Sequence, residues 1–161
     1  MIDPIAAALA LPDQPGAGLQ GLGVLAEQVT GARLVTLMTV DPDTGEGERI
    51  WSNMPGPYPV SGRKPIGIGP WTDQVIDRQE TFVANDIASI AVVFPDHPLI
   101  LSLGCESVIN LPVIVAGQVL GTINCLDGAG YWTPERLAGA QVLRLPGAAA
   151  FLLHRLLSKG R

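Results

Sequence analysis

The 161-residue chain predicts an α+β domain: a central antiparallel sheet, terminal helices on one face, and irregular segments roofing the other. Three observations carry this expectation. Leu19, Leu22, Leu25, Ala26 and Val29 recur at three- and four-residue steps, which makes an amphipathic helix near the start. Ser107–Val115 and Val119–Leu126 are β-rich runs joined at Ala116-Gly117-Gln118, a hairpin with a glycine-assisted turn. Thr133-Pro134-Glu135 combines a hydroxyl cap, a first-turn proline and a carboxylate at the positive end of a helix, so a closing helix starts there.

Taken in order, residues 1–17 are rich in Ala and Pro and predict an N-terminal arm, followed by one domain over 18–158. The first helix stops at Gly31. Residues Ala32–Val40 form a strand, closed by the turn Asp41-Pro42-Asp43-Thr44-Gly45, and Arg49–Asn53 returns as a second strand. Pro55 to Pro65 is loop. A helix over Trp71–Arg78 and a short strand over Thr81–Ala84 lead into an irregular region, Asn85 to Gly104. Within it Asp96 is placed to cap a short helix, Pro98–Leu103, with Gly104 as its exit. The closing helix is expected to run toward Ser158, with Pro146-Gly147 kinking or breaking it.

Composition narrows the function. Hydrophobic residues make up 47% of the chain and charged residues 16%, too apolar a balance for a disordered segment. No apolar run approaches the roughly 18 residues of a bilayer-spanning helix, so no membrane partner is expected. No Lys or Arg precedes Arg33, which leaves no basic start for a secretory signal and predicts a cytoplasmic protein. With ten Lys and Arg and a net charge of −5, nucleic acid is not an expected partner either. Cys105 and Cys125 are too few for a disulfide scaffold and lack metal-ligand spacing; in apolar strands they read as small buried hydrophobes.

The run Ser107-Val-Ile-Asn-Leu-Pro-Val-Ile-Val-Ala-Gly-Gln-Val-Leu-Gly-Thr-Ile-Asn resembles the late hairpin of GAF domains. The opening helix, the Asp41–Gly45 turn and the helix after Thr133-Pro134-Glu135 extend the likeness over roughly residues 18–158. Pro112 inside a strand ordinarily counts against that strand, but the family carries a proline there. Pro146 departs from the family's uninterrupted closing helix. The resemblance implies a GAF-like (profilin-like) fold with a sheet of about six antiparallel strands. It also implies a small polar metabolite as ligand, a homodimer formed through terminal helices, and output through an effector protein or a second copy. No cofactor is expected.

Alternation sorts the hairpin faces. Ser107, Ile109, Leu111 and Val113 share one, with Val119, Gly121, Ile123 and Cys125; this nearly apolar face suits helix packing. Glu106, Val108, Asn110 and Pro112 share the other, with Leu120, Thr122, Asn124 and Leu126. A buried amide without a partner costs on the order of 1–3 kcal/mol, so Asn110, Thr122 and Asn124 under a roof either meet a ligand or bond each other, loop backbone or water. Trp51 and Asn53 alternate onto one face of the second strand and are candidates for the same cup, though Trp51 also fits ordinary core. Tyr58 belongs to the long loop with Arg63–Lys64, a pair that suits an anion or plain solvent. Asp86, Phe94 and His97 belong to the prospective roof, and Glu106 completes the candidate ligand-binding set. No metal site is expected.

The residues favour binding over catalysis. Free methionine sulfoxide reductases of GAF-like fold need a thiolate in the cup, a resolving cysteine and carboxylates for the substrate amine. Cys105 lies seven residues before Pro112, nearer than the reactive cysteine of those enzymes, and Asn124-Cys125-Leu126 replaces their Asp-x-Asp. There is no Gly-x-Ser-x-Gly elbow and no Gly-x-x-x-x-Gly-Lys loop. A non-catalytic sensor is therefore the leading expectation, with the redox enzyme and a pure interaction module as alternatives.

Overall fold

Caps and turns set the limits of each element in the computed structural model, which describes residues 3–159. The Asp3 carboxylate accepts the Ile5 N–H at 3.0 Å and Pro4 occupies the first helical position, so α1 (Pro4–Ala10) forms within the expected arm. Ile5 is buried against α2 (Gly16–Thr30), which makes the arm a docked helix. Gly31 ends α2 in the left-handed region, with φ at 67°, as a helix stop requires.

Then come β1 (Leu34–Asp41), β2 (Glu46–Ser52) and a two-residue β3 (Lys64–Pro65) inside the long loop. Helix α3 (Pro70–Thr72) runs into a π-helical turn, Asp73–Asp77, before β4 (Phe82–Ala84). The region Asn85 to Gly104, expected to hold one short helix over Pro98–Leu103, holds two: α4 (Ile87–Val93), which was not expected, and α5 (His97–Ser102), one residue from the expected bounds. Asp86, not Asp96, is the carboxylate that caps: it accepts the Ser89 N–H at 2.7 Å at the start of α4. The hairpin follows as β5 (Ser107–Val115) and β6 (Gln118–Asp127), then α6 (Pro134–Ala140) and α7 (Arg144–Ser158). A 3-10 turn, Gln141–Leu143, separates the last two. The closing helix is thus broken where proline demanded it, and Pro146 stands in the first turn of α7, where an N–H has no helical acceptor to lose.

The six strands pair antiparallel in the order β3-β2-β1-β6-β5-β4. Pro112 is tolerated because β4 is short: its ladder on β5 ends at Asn110, so Pro112 lies on a free edge where no N–H is needed. Helices α2, α6 and α7 cover one face, over Val35, Leu37, Ile109, Leu111, Ile123 and Cys125, with Phe151 of α7 packed among them. The loop after β2, α4 and α5 cover the other, over Leu34, Val108, Leu126 and the roof residues Tyr58, Ile90 and Ile100.

Two bulges change the faces that strict alternation predicts. Leu37 pairs with Trp51 but Met38 pairs with Arg49, leaving Ile50 as an extra residue in β2. Arg49 therefore stands on the roof side while Trp51 stands on the helix side. In β6, Val113 pairs with Gly121 and Ile114 with Val119, leaving Leu120 extra. Leu120 joins the helix-side core, whereas Val119 looks toward Ile66 and Ile76. Both positions are reversed from the sequence expectation.

On the outer side of α7, Leu145, Leu152 and Leu156 are 80%, 45% and 72% exposed, and their spacing of seven and four places them in one stripe. Among the described residues no helix is long and apolar enough to cross a membrane.

Candidate functional site

Between the sheet and its roof lies a cavity of about 570 Å³. Its floor is built by alternate residues of three central strands: Thr36 and Met38 from β1, Val108 and Asn110 from β5, Asn124 and Leu126 from β6. Arg49 joins them from β2 because of the Ile50 bulge. The walls come from Tyr58, Lys64 and the Ile66–Thr72 segment on one side, and from Val92, Val93, Phe94, Asp96 and Ile100 on the other.

A chain of four side chains crosses the floor. The Trp71 indole Nε1 donates to Asn110 Oδ1 at 2.9 Å, Asn110 Nδ2 donates to Asn124 Oδ1 at 2.7 Å, and Asn124 Nδ2 donates to Thr36 Oγ1 at 3.2 Å. Asn110 and Thr36 are buried, and Asn124 is only partly so. The amides thus bond each other and still face the cavity.

The roof is clasped by Tyr58, whose hydroxyl donates to the Asp96 carboxylate at 2.5 Å, tying the loop after β2 to the start of α5. Burial, reinforced by this bond, pushes the Tyr58 phenol far above its ordinary range, so it stays a neutral donor. The Arg49 guanidinium lies over the Tyr58 ring at 4.6 Å and donates to the Pro59 carbonyl at 3.1 Å. Phe94 meets Phe82 edge-to-face at 6.0 Å.

Of the residues expected to touch a ligand, Tyr58, Phe94, Asn110 and Asn124 line this cavity together. Six others do not. Trp51 packs on α2, where Gly23 makes room for its ring, and donates to Gln20 Oε1 at 2.7 Å. Asn53 clasps the start of β1, accepting the Val35 N–H at 2.8 Å and donating to the Arg33 carbonyl at 3.1 Å. Asp86 is the exposed cap of α4, its pKa lowered by the backbone hydrogen bond from Ser89. His97 Nδ1 bonds the Phe94 carbonyl at 3.0 Å and turns outside the lining. Glu106 precedes β5 at the end of the sheet, and its N–H donates to the Asp127 carbonyl. Thr122 stands two residues nearer the hairpin turn, fully buried, with no partner for its hydroxyl among the described residues.

Trp71, Thr36 and Arg49 complete the site and were not expected in it. Trp71 reads as core from its helix, and its indole N–H, which must find a partner when buried, was the available signal. Of the basic pair, Lys64 lines the cavity while Arg63 turns to Asp41 at 3.8 Å. Neither cysteine lines it. Burial raises the Cys105 thiol and pushes Cys125 up to about 12, so both are held as thiols.

A GAF domain family model matches residues 19–144. No curated protein sequence matches the chain. Among solved structures, the GAF domain of a phosphoenolpyruvate-protein phosphotransferase from Coxiella burnetii superposes with a TM-score of 0.70 at 21% identity, covering 98% of this chain and 93% of that one. The corresponding Acinetobacter domain gives a TM-score of 0.74 at 13% identity, covering 96% and 92%. A GAF domain/HD domain protein from Geobacter sulfurreducens gives 0.67 at 13%, covering 94% and 95%. At such identities the likeness is one of fold.

Proposed function

Because this chain belongs to the GAF domain family, whose members are small-molecule sensing and signalling domains, we propose that it is a non-catalytic sensor holding a small polar metabolite in the cup above Asn110 and Asn124. The observation that carries this reading is the cavity itself: about 570 Å³, mostly walled by apolar side chains, with a few convergent polar groups on its floor. A self-filled interaction module has no need of such a hollow. The redox alternative finds no support at the site, since both thiols are buried away from it and held protonated.

Output passes through the opposite face. The floor strands that carry Asn110 and Asn124 are the strands on which α7 packs, and the outward stripe Leu145, Leu152, Leu156 offers a second copy or an effector an apolar seam. In this reading the protein acts in the cytoplasm as a homodimer.

A thermal-shift screen of metabolites, followed by native mass spectrometry of the hits, tests the cup. Ligand at 100 times its dissociation constant stabilises by about 2.7 kcal/mol, an easily seen shift. An unmoved melting temperature across a broad metabolite set argues decisively against sensing. Leu152→Glu with Leu156→Glu is expected to yield monomers in analytical ultracentrifugation; dimers that persist would place the seam elsewhere.

A further inference from the structure

Resting on the cup reading, the direction of the floor's hydrogen bonds selects the ligand's chemistry. An indole nitrogen can only donate. Trp71 therefore fixes Asn110 with Oδ1 toward the indole, which turns Asn110 Nδ2 toward Asn124 Oδ1 and Asn124 Nδ2 toward Thr36 Oγ1. Each amide nitrogen carries two hydrogens and spends one in the chain. One N–H of Asn110, one of Asn124 and the Thr36 hydroxyl hydrogen have no acceptor among the described residues, so the floor is left rich in donors.

The charges around it point the same way. Asp96 is engaged by the Tyr58 hydroxyl, and Arg49 by the Pro59 carbonyl and the Tyr58 ring. Lys64 lines the cavity and makes no ion pair among the described residues. Glu48 opposes it from β2, but that residue also borders a second cavity beside His154, across the sheet edge.

We infer that the cup takes a small amphipathic carboxylate, its anionic head on the Asn124 and Thr36 donors and its apolar body against Met38, Ile66 and Phe94, with Lys64 at the β3 end of the cup adding positive charge from a distance. A charge-assisted bond to a carboxylate is roughly twice as strong as a neutral one, so donors of this kind prefer the acid to its amide.

The test uses the full chain with three matched series: octanoate and phenylacetate, their primary amides, and the corresponding amines. Isothermal titration gives affinity, and the Trp71 indole N–H resonance reports entry into the cup. Carboxylates are expected to bind at least about tenfold tighter than the amides, with amines the weakest. Asn124→Leu, which removes a donor from the head, is expected to take away most of that gap, and Lys64→Gln, an exposed change at the β3 end, to narrow it by no more than about twofold. Tighter binding of amines would assign the head group to Glu48 and overturn the inference. So would equal binding of acid and amide, or a gap indifferent to Asn124→Leu. Silence from all three series also overturns it; the cup reading then survives only if the metabolite screen moves the indole resonance, and falls with it otherwise.

Discussion

Trp71→Phe is the most informative single change, because it removes one N–H from the floor while a phenyl ring keeps most of the contact. Asn110 Oδ1, buried with its residue, then loses the partner now at 2.9 Å. A net hydrogen bond contributes about 1 kcal/mol, and a buried acceptor left unsatisfied costs up to about 3 kcal/mol. A cavity of about 570 Å³ directly above the floor admits water to that oxygen, which selects the lower figure. The melting temperature is therefore expected to fall by about 2–4 °C. The sharper assay is a double-mutant cycle with Asn110→Leu in urea denaturation. Two partners in one chain of bonds are coupled by about 0.5–3 kcal/mol, whereas independent sites add. Additive losses, with Asn110→Leu costing the same in wild type and in Trp71→Phe, would refute the chain as an energetic unit.

The hairpin turn, the helix packing and the sheet edge supply three more tests. Ala116 holds φ at 50° beside Gly117 at 77°, a primed turn that favours Asn-Gly; Ala116→Asn is expected to stabilise by about 0.5–1 kcal/mol, and a lower melting temperature would contradict it. A Cβ on Gly121 would stand 2.5 Å from the Met38 carbonyl oxygen and 3.0 Å from the Phe151 ring. Gly121→Ala should thus cost about 1–3 kcal/mol in denaturant titration, while Gly56→Ala, with nothing nearby, serves as a near-neutral control. Burial lowers the His154 pKa below 6.5, so the unfolded chain takes up that proton first and stability falls as pH drops below about 6.5. His154→Gln is expected to flatten this part of the stability–pH curve, and an unchanged slope would assign the acid sensitivity to other groups.

Most of the frame was legible because it rests on local rules. Gly31, Thr133-Pro134 and the Ala116-Gly117 turn each act through their own backbone, and each marks an element end as expected. Asn110 and Asn124 were legible as roof-side residues because β5 and β6 alternate regularly between Ser107 and Val113. What periodicity missed were non-local decisions. The Ile50 bulge sent Trp51 to the helices and Arg49 to the cup. Asp86 and Asp96 are equally good caps by type, and only the approach of Tyr58 across the fold claimed the second. Asn53 was drawn away by two backbone groups of β1 that no sequence window contains.

The extra residue at position 50 has a further bearing on how this protein tolerates change. Removing Ile50 would close the bulge and make Arg49 and Trp51 direct neighbours, which ordinary alternation already sends to opposite faces, so the indole would stay beneath the helices and the guanidinium beside the hollow. A one-residue deletion at a regularly paired position of that strand, such as Glu48, is the heavier lesion because it reverses every face beyond it, and variation in length is best tolerated in the exposed residues 55–57 ahead of Tyr58.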